Sequence, residues 1–89
     1  MPWDDGDARV LGRRVRRLRE DRAMSQEALA RRAGCSKNHV QLIEAAGRAA
    51  EAPPRGARPI NLRLSTLYGL ADALGVQPWE LVRDPGTDA

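Results

Sequence analysis

The sequence predicts an all-α fold, and two observations support this class. Residues that favour helices dominate the 89-residue chain, whereas aromatic residues make up only 3% of it and Phe is absent. Apolar residues also recur at helical spacing in five segments that are separated by turn residues. A chain of this length can form one small domain with a modest core.

The first two predicted helices are joined by a short turn. The first runs from residue 8 to residue 22, and its inward stripe is Leu11, Val15 and Leu18. Ser25 can cap the second helix by accepting a hydrogen bond from a free N–H of the first turn. The residues of the second helix that we expect to face inward are Ala28, Leu29 and Ala33.

The third predicted helix follows at once. Gly34 can adopt the left-handed conformation that ends a helix, and Ser36 can cap the next one. This helix is expected from Lys37 to about Ala45, with Val40 and Ile43 inward and Glu44 beside them. The residues on or near its outer side are Lys37, Asn38, Gln41 and Leu42.

The remaining chain holds a long predicted loop and two further helices. Residues 46–61 contain three Pro and two Gly without an apolar period, which is typical of a loop. The fourth helix begins near Leu62 and stops at Gly75, and its predicted stripe is Leu64, Leu67, Leu70, Ala71 and Leu74. A short fifth helix covers Pro78–Val82, because Pro suits the first helical position. Residues 1–7, which are acidic, and residues 84–89 are predicted to be flexible tails around a domain at 8–83.

The charge of the chain is unevenly distributed. The net charge is +3, but residues 9–37 alone carry ten Arg or Lys against three Asp or Glu. A basic half suits a polyanion such as nucleic acid. A solvated, Arg-rich surface would give the same composition, so charge favours nucleic acid only slightly.

Several classes of function are disfavoured by what the sequence lacks. Cys35 and His39 are the only residues of their kinds, so neither an internal disulfide nor a zinc site is expected, and Cys35 is predicted to be a small core residue. No acid–base or nucleophile set accompanies them, so we expect neither an enzyme nor a cofactor. No apolar run reaches the ~20 residues of a membrane span, and the N-terminus does not resemble a signal peptide. A cytoplasmic protein without membrane association is therefore expected.

The central motif is more specific than a turn between two helices. SQEALA at residues 25–30 is followed by AGCS at 33–36, then by Val40 and the pair Ile43-Glu44, and TLYGLADALGV occupies 66–76. These residues resemble the lambda-repressor/Cro-like (XRE-type) helix-turn-helix family over about residues 9–82. The resemblance implies a compact five-helix bundle whose third helix lies in the major groove of double-stranded DNA. The insertion at 46–61 departs from the short linker of the family.

The resemblance also implies roles for individual residues. Those expected to read bases are Lys37, Asn38 and Leu42, with Gln41 covering part of the role of Leu42. Leu42 departs from the usual polar residue, and it either packs on a thymine methyl group or contributes little. Gln26 matches the phosphate-binding Gln of the family, and Ser36 is expected to do the same at the start of the third helix. Arg14 and the loop residue Arg48 are weaker candidates, and the alternative for each is a solvated side chain. Glu44 is expected to pair with Arg19 and to orient two helices, and the alternative is an exposed Glu at the end of its helix.

The functional hypothesis is a small, sequence-specific transcriptional regulator that acts as a homodimer on DNA. The family dimerises through its C-terminal part, where the candidate residues are Trp79, Leu81 and Val82. The alternative for Leu81 and Trp79 is that they complete the core. No small-molecule effector is implied. Other interpretations are an antitoxin with a toxin partner, a restriction–modification controller, or a protein-interaction module that has lost DNA binding.

Overall fold

The computed structural model describes residues 5–48 and 62–82, and these ranges form five α-helices and no strand. The helices are α1 (Asp5–Asp21), α2 (Gln26–Ala33), α3 (Lys37–Arg48), α4 (Leu64–Leu74) and α5 (Trp79–Val82). The predicted all-α class and the predicted order of five helices are therefore confirmed.

Several helix boundaries differ from those predicted. α1 begins at Asp5, so residues 5–7 of the predicted tail are helical. α3 continues to Arg48, so residues 46–48 of the predicted loop are helical as well. The periodicity of apolar residues does not reveal this last turn, because it is held by a close backbone contact with α1. The rest of the predicted loop, residues 49–61, and the predicted tails at 1–4 and 84–89 lie outside the described residues.

The core is formed where all five helices meet. Its fully buried members are Leu11, Val15, Leu29, Val40, Ile43, Leu70, Leu74 and Leu81, accompanied by the small residues Ala8, Ala30 and Ala71. Two predicted inward positions are not part of the core. In α2 the buried residue is Ala30, whereas Ala28 is half-buried and outside the cluster, and Leu64 at the start of α4 is 69% exposed.

The connections of α2 follow the turn chemistry predicted from the sequence. The Ser25 hydroxyl accepts a hydrogen bond from the Ala28 N–H (3.0 Å), which caps the helix. Gly34 ends α2 with φ of 79°, and its N–H donates to the Ala30 carbonyl. The Ser36 hydroxyl then accepts from the His39 N–H (3.1 Å) at the start of α3. Residues 34–36 therefore form a tight, capped turn between α2 and α3.

Glycines allow α1 and α3 to touch through their backbones. A Cβ atom on Gly12 would overlap the Ile43 carbonyl oxygen and would stand 2.6 Å from the Gly47 nitrogen. A Cβ atom on Gly47 would overlap the Arg13 nitrogen in return. Because no side chain separates the two helices here, any added atom must push α3 away from α1.

We expect Gly12→Ala to destabilise the domain by about 1–3 kcal/mol, the usual range for overpacking a close contact. Alanine favours a helix over glycine by about 1 kcal/mol, so its helix propensity alone would stabilise the domain. A net loss of stability must therefore come from the steric overlap. Urea denaturation followed by circular dichroism measures the change. Ser65→Ala, at an exposed position of α4, is the control and should stay within about 0.5 kcal/mol of the parent protein. A Gly12→Ala protein as stable as its parent would contradict the close contact.

Candidate nucleic-acid interface

α3 presents a mainly polar outer face, and the buried side of the helix holds this face in position. Val40, Ile43 and Glu44 are buried, so the helix cannot rotate about its axis without exposing them. The opposite side consists of exposed residues, which we call the α3 outer face: Lys37, Asn38, Gln41 and Leu42. The structure thus brings all four predicted base-reading residues to one exposed surface.

The start of α3 has an unusual electrostatic character. Its first residue is Lys37, and its first turn holds no acidic residue, whereas the first turn of α2 contains Glu27. The N-terminus of a helix carries a partial positive charge, so a cation there disfavours the isolated helix. The same arrangement concentrates positive potential and free N–H groups at one exposed point, which suits a negatively charged ligand.

A buried carboxylate lies directly behind the α3 outer face. This carboxylate belongs to Glu44, which is only 1% exposed. Its Oε2 accepts a hydrogen bond from Arg19 Nε (2.7 Å), and its Oε1 accepts one from Arg19 Nη2 (3.0 Å). The ion pair expected from the family resemblance is thus present and bidentate, the strongest geometry available to an arginine and a carboxylate.

Arg19 also secures the turn that follows α1. Its Nη1 donates to the Met24 carbonyl (2.8 Å), so one guanidinium group binds both α3 and the segment leading into α2. The hydrogen bond to Glu44 raises the pKa of Arg19, although burial acts in the opposite direction. The guanidinium group therefore remains charged throughout the physiological pH range, and the buried carboxylate keeps its counter-ion.

Gln26 has a partner that sequence analysis missed. This first residue of α2 donates from its Nε2 atom to Oε1 of Glu44 (3.2 Å). Helical periodicity gives no distance between residues in different helices, so no pattern in the sequence revealed the contact. A primary amide has two N–H groups and a carbonyl oxygen, so hydrogen-bonding capacity remains beside the one bond to Glu44.

The other predicted phosphate contacts fall at different places. Ser36 is exposed before α3, and its hydroxyl group can still donate while its oxygen accepts from His39. Arg14 is half-buried on α1. Arg48 is not a loop residue as predicted; it is the exposed last residue of α3, about 16 Å along the helix from Lys37.

The three predicted dimer-interface residues are separated by the fold. Leu81 is 0% exposed within the core of its own chain, so its assignment to a subunit interface is wrong and the alternative core role is correct. Trp79 is 61% exposed at the start of α5, and Val82 is half-buried. Leu64 and Tyr68 form a further exposed apolar pair one turn apart on α4.

The remaining candidates for chemistry are the thiol of Cys35 and the acidic and imidazole side chains of the described residues. Cys35 is half-buried against the core, and burial raises the pKa of its thiol, which therefore stays protonated near neutral pH. Within residues 5–48 and 62–82, no three His, Cys, Asp or Glu side chains are grouped as a metal would need. None of the helices in these ranges has the length and apolar character to cross a membrane.

A capped helix, a three-residue turn and a second helix with an exposed polar face define a helix-turn-helix domain. The family model described as "Helix-turn-helix domain" matches residues 10–83. The chain therefore belongs to the helix-turn-helix family, of the lambda-repressor/Cro-like type expected from its motifs.

Similar proteins have been described as regulators. A protein of Sinorhizobium fredii described as "Uncharacterized HTH-type transcriptional regulator y4dJ" is 35% identical over 74 residues, which cover 83% of this chain and 80% of the relative. A crystal structure of the hypothetical transcription factor NHTF from Neisseria superposes with a TM-score of 0.70 at 31% identity, over 93% of this chain and 81% of that one. The restriction-modification controller protein C.AhdI from Aeromonas hydrophila superposes with a TM-score of 0.67 at 30% identity, over 85% of this chain and 97% of that one.

We expect Glu44→Ala to lower the free energy of unfolding by about 3 kcal/mol, because it leaves a charged Arg19 without its buried partner. Thermal and urea denaturation measure the effect. Glu27→Ala, which removes an exposed acid from the first turn of α2, is the matched control and should lower stability by at most about 1 kcal/mol, the upper value for an exposed acid at a helix N-terminus. An unchanged melting temperature for Glu44→Ala would show that the ion pair does not support the domain.

Proposed function

We propose that this chain is a small transcriptional regulator that binds double-stranded DNA in a sequence-specific manner. The observation that carries this proposal is the α3 outer face. It begins with Lys37 at a helix N-terminus whose first turn contains no acidic residue. An α-helix fits the major groove, and its N-terminal residues reach the edges of base pairs. Such a function would place the protein in the cytoplasm, as the sequence predicts.

The polar residues of the α3 outer face supply groups suited to reading bases. Lys37 can donate to guanine O6 or N7, and Asn38 can make two hydrogen bonds with one adenine. Gln41 lies on the same exposed side and has the same chemistry as Asn38, with a longer reach. We therefore assign hydrogen-bonded base recognition to these three residues.

Phosphate contacts are proposed at the starts of α2 and α3. The free N–H groups of a helix N-terminus attract anions, and Gln26 and Ser36 add side-chain donors at these two points. The bond from Gln26 to Glu44 supports this role, because it fixes the amide relative to α3. Arg14 and Arg48 are proposed as weaker, charge-based contributors.

We further propose that the protein binds DNA as a homodimer on two half-sites about one helical turn, or ~34 Å, apart. Trp79 is the main candidate for the subunit contact, because it is a large and exposed aromatic residue, and Val82 is a secondary one. A single helix reads only a few base pairs, so two copies would supply the affinity and the specificity that one copy lacks.

A restriction–modification controller is a second candidate within the same class. It is favoured by the superposition on C.AhdI, in which this chain covers 97% of the controller protein at 30% identity. Both candidates require the same DNA-binding site and differ only in the genes that are controlled. A protein-interaction module or an antitoxin bound to a toxin would instead depend on a protein partner.

Selection of binding sites from random duplexes, followed by titration with salt, tests the proposal. We expect enrichment of a two-fold symmetric site and an affinity that falls as the salt concentration rises. Lys37→Ala and Asn38→Ala should each weaken binding by about 1–3 kcal/mol and relax one base position. Gln26→Ala is the contrasting variant, since it removes a proposed phosphate contact together with the bond to Glu44, and both losses should weaken all sequences alike. If no duplex is preferred at moderate salt, the protein-interaction module becomes the better hypothesis.

Trp79→Ala should weaken binding to a duplex with two half-sites while leaving binding to a single half-site unchanged. The reason is that truncation removes the proposed subunit contact but leaves the α3 outer face intact. Analytical ultracentrifugation, together with binding to both duplexes, measures the two effects separately. Tyr68→Ala removes an exposed aromatic residue outside α5 and serves as the comparison. Equal losses on both duplexes would argue against Trp79 as an interface residue.

A further inference from the structure

Leu42 is an apolar residue that the core does not use. It is 52% exposed, whereas its neighbours Ile43 and Glu44 are buried. The phase of α3 is set by those buried residues, so Leu42 cannot turn inward unless Ile43 and Glu44 turn outward and the Arg19–Glu44 ion pair breaks. Its side chain therefore contributes little to the stability of the isolated chain, and its apolar surface is available to a ligand.

Leu42 lies beside the polar residues of the α3 outer face. It lies four residues after Asn38, so the two side chains are neighbours on one side of the helix. Four residues correspond to about 6 Å along a helix axis, and successive base pairs are about 3.4 Å apart. A helix that places Asn38 against one base pair thus brings Leu42 within about two base pairs of it.

The chemistry of a leucine restricts what it can recognise at a base edge. It has no hydrogen-bonding group, and the apolar group that the four standard base pairs display in the major groove is the C5 methyl group of thymine. We propose that Leu42 is a specificity-determining residue that recognises a pyrimidine C5 methyl group in the DNA site. This inference rests on the proposed function, since it assumes that α3 lies in the major groove.

Recognition of the methyl group has a consequence beyond the choice of thymine. 5-Methylcytosine carries a methyl group on the same ring atom and displays it in the same groove. A contact made only with that group does not distinguish the two bases. Methylation of a cytosine at this position should therefore raise the affinity, as a thymine does. Removal of one buried methyl group corresponds to a loss of about fourfold in affinity.

The decisive experiment uses the full chain and a duplex obtained by selection from random sequences. Each thymine of that duplex is replaced in turn by uracil, which removes the methyl group and leaves every hydrogen-bonding group in place. We expect one position in each half-site at which uracil weakens binding about fourfold. Leu42→Ala should bind the thymine and uracil duplexes equally well. Leu64→Ala, which truncates an exposed leucine of α4, is the matched control and should retain the difference.

A second comparison at the same position uses a C·G pair with and without a methyl group on the cytosine. The parent protein should bind the methylated duplex about fourfold more tightly, and Leu42→Ala should not distinguish the two. The inference is overturned if no uracil substitution matters, or if the difference persists in Leu42→Ala. Selection that yields no preferred duplex would instead overturn the proposed function, so the two failures are distinguishable.

Discussion

The arrangement of the first three helices depends on the hydrogen bonds made by the buried carboxylate of Glu44. An unpaired charge at this depth would destabilise the domain by several kcal/mol, so α1 and α2 must bring partners to it. Arg19 supplies two hydrogen bonds from α1, and Gln26 supplies a third from the start of α2. An ion pair of this kind adds little to net stability. Its main effect is to restrict the fold, because few relative positions of the three helices satisfy it.

The orientation of the α3 outer face follows from this pairing together with a second constraint. The glycine contact between α1 and α3 leaves no space for sliding, since Gly12 and Gly47 bring the backbones together. The carboxylate sets the rotation of α3 about its axis, and the glycines set its distance from α1. The exposed residues Lys37 and Asn38 thereby project from a helix held by both contacts, as the proposed reading of base edges requires.

Turn chemistry predicts helix ends well, but it does not separate a core residue from an interface residue. The sequence predicts helix ends at Ser25, Gly34 and Gly75, and the structure places a cap or a left-handed glycine at each. Leu81 illustrates the limit, because an apolar residue in a four-residue helix suits a core or an interface equally well in the sequence. Its neighbours across the fold decide between the two, and those neighbours are distant along the chain.

The amino-acid sequence is sufficient to predict the helical class, the capped turn between α2 and α3, and the family, because these depend on local chemistry and motif spacing. The packing of the helices adds that Gln26 bonds to Glu44 and that α3 extends to Arg48. Neither feature follows from local sequence, for the same reason. Each depends on the distance between helices, and that distance is set by backbone contact and charge pairing between residues far apart in sequence.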